Sequence, residues 1–394
     1  MFGRLVQRTW QYDPTLYAPA RYRKACRYEA FVPRTIADLS FDLPGSLVGV
    51  LSDAEHAIRS LNASARPALA PLARLLLRTE SVASSKVEGM QVEARALARA
   101  DARADVGAKV PSTTLEVLAN IDAMALAVEE ATVDTPVTIE RIVDVNRALL
   151  AGSSKPDLAG RVRSVQNWIG GNDYNPCGAA FVPPPESELG ELLADLCSFC
   201  DGEGLSPLVQ AALAHAQFET IHPFIDGNGR TGRALVQVIL RRRGLAPSYV
   251  PPISVVLAKE KPSYIEALTA YREGDLVFWL ERFSVAAARA AALAEHYLAD
   301  VGALQVHWRA QVSEMTRPPR ADAVAWALLD LLPGQPVLTL PVAVAMSGRV
   351  KSAVNAAIAQ LVDAGVLIPL SSNARNRVWE AAGLLDLLTA IDDP

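Results

Sequence analysis

From about residue 45 to residue 300, apolar side chains return every three or four positions in Ala- and Leu-rich stretches with little β-branched alternation. That period admits stacked amphipathic helices and little else. It breaks once, at 163–185, where RSVQNWIGG, NDYNPCG and AAFVPPP fall in succession. These read as two short β-like pieces around a turn-rich middle, halted by three prolines. A hairpin set into a helical domain is expected to be a binding edge rather than core.

The ends depart from the pattern. Residues 1–45 carry Pro, Arg and the aromatics Trp10, Tyr12, Tyr17, Tyr22, Tyr28 and Phe31 without a sustained period, and are expected to form an extended arm across the helical body. TRPPR at 316–320 reads as a linker. Beyond it come a helix at 321–332, a short piece at 341–346, a Ser-Gly turn, a helix at 349–364 ended by Gly365, and two β-like runs around a polar loop. Helices followed by a hairpin outline a winged helix. From 321 to 394 four cations (Arg349, Lys351, Arg375, Arg377) stand against seven acids. That acidic balance makes DNA the lesser expectation and protein docking or a structural wing the greater.

Composition narrows the class. With 394 residues, 51% hydrophobic and 21% charged, and only 26 Pro and 23 Gly, the chain is globular and too long for one compact core. The net charge of −5 argues against coating nucleic acid or an anionic membrane. Four Cys do not make a disulfide framework, and reduced thiols are expected. The opening MFGRLVQRTWQYDP has no apolar stretch of signal-peptide type, and the Ala-rich 284–304 carries Arg289, Glu295 and His296. A soluble cytoplasmic chain without a membrane span is expected.

The chemistry concentrates in HPFIDGNGRTGR, 222–233. A helical pattern precedes it over 207–221, and another follows to Arg243, closed by Gly244. The segment is therefore a loop whose Gly227-Asn228-Gly229 opens a helix. Glycines there let consecutive backbone N–H groups converge beside the positive end of the helix dipole, making a nest for phosphate. Arg230 and Arg233 lie three apart in the first turn, so both guanidiniums overhang that nest. Asp226 is a hard oxygen donor suited to Mg²⁺ shared with phosphates. His222, at the loop entrance, could accept a proton from a hydroxyl. Singly each feature is ordinary: a turn, a capping His, solvated Arg. Together over twelve residues they point to phosphoryl or nucleotidyl transfer.

This segment resembles the signature of the Fic family, HPFx[D/E]GNGRxxR, at His222, Pro223, Phe224, Asp226, Gly227, Asn228, Gly229, Arg230 and Arg233. The lead-in HAQFETI (215–221) resembles the family's approach to the loop, and 163–185, closing on FVPPP, resembles its flap. LRTESVASSKVEG is similar to the N-terminal region of bacterial members that end in a winged helix. The resemblance implies a mainly α protein: an arm and helical region with an inhibitory helix at 1–110, a Fic helical bundle with a β-hairpin flap at 111–315, and a winged-helix-like domain at 321–394. It implies transfer of AMP from ATP to a Ser, Thr or Tyr hydroxyl of a target protein, and of the chain itself, with pyrophosphate released. His222 would be the base and Asp226 the Mg²⁺ ligand. Gly227, Asn228, Gly229, Arg230 and Arg233 would bind the phosphates of ATP. Flap residues Trp168, Ile169, Gly170, Ala180, Phe181 and Val182 would align the target by strand addition.

A second resemblance covers Ser84, Glu88 and Gly89, which fit the family's inhibitory signature [S/T]xxxE[G/N]. Ser84 and Glu88 are one helical turn apart. Glu88 would pair with Arg233 and occupy the guanidinium that the γ-phosphate needs. Alternatives stay open: removal of AMP with Glu88 positioning water, a Doc-like phosphotransferase (argued against by Gly229 where those relatives carry Lys), or a winged-helix transcription regulator with a Fic sensor core. A homodimer is also open. Cys197 and Cys200 fall on one apolar stripe with Leu189, Leu192, Leu193 and Leu196, and are expected to be core thiols. His215 is expected to brace the loop, and His56, His296 and His307 have no partner pattern.

Overall fold

A computed structural model describes residues 2–15, 17–63, 70–104, 110–370 and 377–392. The chain opens with strands β1 (Gly3–Trp10) and β2 (Cys26–Pro33). Helices α1 (Gly45–Ala63), α2 (Ala70–Val87), α3 (Ala94–Ala104), α4 (Ser112–Glu130) and α5 (Ile139–Leu150) follow. After the 163–185 excursion come α6 (Leu189–Asp201), α7 (Pro207–Ile221), α8 (Asn228–Arg242), α9 (Ile253–Lys259), α10 (Lys261–Glu273) and α11 (Leu276–Ser313). The C-terminal part holds α12 (Val324–Leu331), β3 (Val337–Thr339), α13 (Leu340–Ser347), α14 (Lys351–Asp363), β4 (Leu367–Pro369), β5 (Val378–Ala381) and α15 (Leu384–Asp392). The architecture is mainly α, as the period implies.

The bundle is built around α7, in which every residue from Leu208 to Ile221 is buried. A helix without a polar face belongs at the centre of a bundle. Ser206 caps its start by accepting from Val209 N–H. The 38-residue α11 forms the spine and packs on α1, α7, α9 and α10. Its buried Ala286, Ala287, Ala290, Ala291 and Ala294 let neighbouring axes approach closely. α8 packs against α7, α4 and α5, so the loop between α7 and α8 opens at one end of the bundle.

Three expectations are corrected here. Within the N-terminal arm, β1 and β2 form an antiparallel ladder, with Gly3 opposite Pro33 and Trp10 opposite Cys26. Period was a poor guide because an edge hairpin of this kind lies on other chain segments rather than on a continuous core. The four Cys are also not all reduced: Cys26 and Cys177 form a disulfide across 151 positions, while Cys197 and Cys200 stay free and buried as expected. A pair so far apart leaves no spacing signature. The 163–185 segment is a hairpin held by a single bridge, Ile169 to Phe181, rather than by two ladder strands. Gly170 and Gly171 turn it at φ 74° and 80°, and a Cβ on Gly171 would meet Gly178 O at 2.9 Å.

In the C-terminal part, the sequence expects a short piece at 341–346 where the structure has α13, capped by Thr339 accepting from Val342 N–H and closed by Gly348 at φ 61°. The three strands form an antiparallel sheet in the order β3-β5-β4. This sheet is tied to α3: Glu380, 4% exposed, receives Arg95 at 3.2 Å and Arg99 at 2.9 Å. Arg349, Lys351 and Arg377 are exposed, and Arg375 lies outside the described residues. Among the described residues no helix is long and apolar enough to cross a membrane.

Candidate active site

α7 ends at His222, whose φ of 49° and ψ of 60° place it in the left-handed region, the one non-glycine there among the described residues. Such a backbone is held by its surroundings and is characteristic of functional positions. Its N–H closes the helix on Phe218 O. Asn228 then staples the loop, accepting from Phe224 N–H and donating to Phe224 O, both at 2.8 Å. Gly227 starts α8 at φ 79°, where a Cβ would lie 2.6 Å from Leu149 Cδ2. The Asn228 side chain is therefore occupied inside the loop.

Both arginines are buried, at 3% and 2% exposure, over the start of α8. Arg233 donates through Nε to Ser84 Oγ at 2.9 Å and through Nη2 to Ser84 O at 2.8 Å and Glu88 Oε1 at 2.7 Å. Ser84, Glu88 and Arg233 are thus brought together, with Gly89 at φ 84° ending the turn after α2. A Cβ on Gly229 would overlap Glu88 Oε1, so the carboxylate lies directly on the backbone of the nest. Burial alone would raise the Glu88 carboxyl, but the charge and hydrogen bond of Arg233 outweigh it and hold it below the ordinary carboxylate range. Arg230 reaches Met90 Sδ at 3.9 Å and Asp226 Oδ1 at 3.7 Å, and its buried Nε lacks a partner among the described residues.

His222 is largely buried, with a side-chain exposure of 19%. Burial, then the nearby Arg163 and Arg272 charges, hold its imidazole down to about 4 against the raising influence of the Glu219 backbone, so it is neutral at physiological pH. Glu219 Oε2 lies 4.0 Å from Nδ1. Glu219 is itself pushed up to about 7 by burial, and its Oε1 has no partner among the described residues. His215 stays inside α7, paired with Tyr264 Oη at 2.9 Å and driven by burial to about 3. It braces the loop's helix, as expected. Cys197 is pushed up to about 12 by burial and is inert.

The flap stands beside this loop. Ile169 donates to Phe181 O at 2.8 Å and accepts from Ala180 N–H at 2.9 Å. Trp168 turns inward and donates to Asn172 O at 2.6 Å, while Ile169 is 37% exposed and Val182 is buried. Phe31 N–H donates to Val182 O, so β2 lies along the second limb. Trp10 packs on Trp168, Tyr22 stacks on Tyr174, and Cys26–Cys177 joins arm to flap.

Asp226 stands at the loop surface, 32% exposed, with Lys155 Nζ 3.0 Å from Oδ2. Among the described residues no group of three or more His, Cys, Asp or Glu could hold a metal. Mg²⁺ commonly takes one or two carboxylates together with substrate phosphates, so Asp226 beside the nest fits as a single protein ligand, with Lys155 as its alternative partner. Lys155, Arg163, Glu219 and Arg272 escaped the sequence reading. Only Glu219, one helical turn before His222, had a local signal.

Residues 136–240 match the family profile described as Fic/DOC family, and residues 48–129 match the one described as Fic/DOC family N-terminal. Protein adenylyltransferase fic-1 of Caenorhabditis briggsae is 31% identical over 143 residues, 36% of this chain and 25% of that protein. Protein adenylyltransferase Fic of Nematostella vectensis is 36% identical over 142 residues, 36% of this chain and 30% of its own. The match therefore spans a quarter to a third of these curated relatives. A Fic family protein from Desulfovibrio desulfuricans has a related fold, with a TM-score of 0.52 over 87% of this chain and 98% of that one at 21% identity.

Proposed function

The chain belongs to the Fic/DOC family, and from that premise we propose that it transfers AMP from ATP to a hydroxyl of a target protein, itself included, and is held back by Glu88. The observation that carries the reading is the pairing of a largely buried, neutral His222 with a helix-start nest overhung by Arg230 and Arg233. ATP phosphates would lie over the N–H groups of α8, gripped by the two guanidiniums. His222 takes the proton of the target hydroxyl as its oxygen attacks the α-phosphorus. The bond to the bridging oxygen breaks and pyrophosphate leaves with the electron pair. Mg²⁺ held by Asp226 would neutralise charge on the departing phosphates. The flap, with Ile169 exposed, would align the target backbone.

Inhibition follows from the same geometry. Glu88 Oε1 occupies both the Arg233 guanidinium and the space above Gly229, so a γ-phosphate meets a carboxylate where it needs a donor. A Lys at that glycine, as in Doc-like phosphotransferases, has no room beside Glu88. The C-terminal elements are read as a winged helix that docks rather than reads DNA, with one acid of its sheet, Glu380, turned onto α3.

The test is AMP transfer from α-labelled ATP to a host lysate and to the chain itself. Glu88→Gly should label and Glu88→Gly/His222→Ala should not, while both still bind ATP. Equal labelling by the two variants would overturn the mechanism.

A further inference from the structure

Arg163 stands at the first limb of the flap, 4% exposed, without a salt bridge to any carboxylate among the described residues. Its donors go to backbone carbonyls. Nε donates to His222 O at 2.9 Å, Nη1 to Val165 O at 3.0 Å, and Nη2 to Pro184 O at 2.6 Å and Ile221 O at 3.5 Å. Its own N–H donates to Pro223 O at 2.9 Å. Asn167 Nδ2 adds a second donor to His222 O at 3.2 Å and bonds Phe224 O at 3.0 Å.

The last carbonyls of a helix have no partner within it, and a cation suits the negative end of its dipole. Ile221 and His222 provide two such carbonyls, and Arg163 takes both. That is what lets the chain leave α7 with His222 in the left-handed region, a backbone that is unfavourable unless its surroundings enforce it. The same guanidinium reaches both limbs of the flap, through Val165 and Pro184. We propose that Arg163 is the positioning residue of the site, fixing the His222 backbone and the root of the flap in one geometry so that the base and the target strand arrive in register. The proposal rests on the adenylyl-transfer reading for its kinetics but not for its geometry. The charged and titratable groups facing the His222 ring are Arg163, Arg272, Glu88 and Glu219.

Arg163→Lys keeps the charge and loses the fork. In the Glu88→Gly background, we expect kcat to fall about 100-fold with the KM for ATP unchanged within about twofold, since a displacement near 1 Å is enough for such a loss. Asn167→Ala, which removes one donor from the same carbonyl and leaves Arg163 in place, should lower kcat about tenfold. It carries the test if the Arg163 variant does not fold. The second readout is the imidazole titration of His222 by NMR, assigned with His222→Ala. Loosening the loop exposes the ring to water, so its midpoint should move upward from about 4 towards the free value in Arg163→Lys. Folded variants with wild-type kcat and an unmoved His222 titration would overturn the proposal. If the Glu88→Gly parent transfers no AMP at all, the adenylyl reading fails, and the titration still decides the role of Arg163.

Discussion

The site has two walls, each centred on a buried arginine, and they are held differently. On the α2 side Arg233 meets a carboxylate, a hydroxyl and a carbonyl. Burial would lower its pKa, but the Glu88 carboxylate, first among the groups around it, drives it above the ordinary arginine value. At the flap Arg163 meets carbonyls, and burial lowers it to about 10. A carboxylate 38% exposed at the end of a helix can be replaced by a phosphate of the same charge. Four carbonyls of the main chain cannot be replaced without undoing the loop. On the proposed reading, one wall is a displaceable lock and the other a permanent brace.

The largest effect should separate the walls by stability. The Cys26–Cys177 bond closes a loop of about 150 residues, so reduction or Cys26→Ser should lower unfolding stability by roughly 2–5 kcal/mol. Proteolysis within 168–181 should rise while ATP affinity stays within about twofold. An ATP affinity that follows reduction would break the division between brace and lock.

On the lock side, Arg233→Ala added to Glu88→Gly should lower labelling by roughly 100-fold if, as proposed, the freed guanidinium is the one ATP uses. Smaller is the gain from Glu88→Gln, which keeps the bulk over Gly229 and drops the charge. Allowing for solvent screening of a partly exposed group, about a tenfold rise in ATP occupancy is expected by calorimetry. No rise would mean that shape, not charge, sets the lock.

The smallest effect is on pH. Glu219, raised to about 7 from 4.5, contributes stability that is complete below about 4.5 and lost as pH rises through 7. His222, lowered to about 4 from 6.5, contributes stability present above 6.5 and lost as pH falls through 4. Thermal midpoints should therefore fall on both sides of mildly acidic pH. Glu219→Gln should remove the fall between about 4.5 and 7 and leave the His222-dependent loss towards acid pH, a difference on the order of 1 kcal/mol. An unchanged alkaline fall would assign it to another group.

The sequence by itself determined whatever depends on neighbours along the chain. Period placed α7 and α8, the glycines at 227 and 229 marked the start of α8, and Arg230 and Arg233 shared a turn because 3.6 residues make one. Twelve contiguous residues thus exposed the chemistry. Glu88 and Arg233 are 145 positions apart, and only family resemblance joined them before the structure did. The pairing of Cys26 with Cys177, the approach of Lys155 to Asp226, and the hold of Arg163 on His222 O cross 59 to 151 positions. Each side chain there is an ordinary surface or turn residue by local rules. Tertiary packing alone decided which carbonyls Arg163 would meet, because a guanidinium's partners are set by which segments fold against it and not by the residues beside it in the chain.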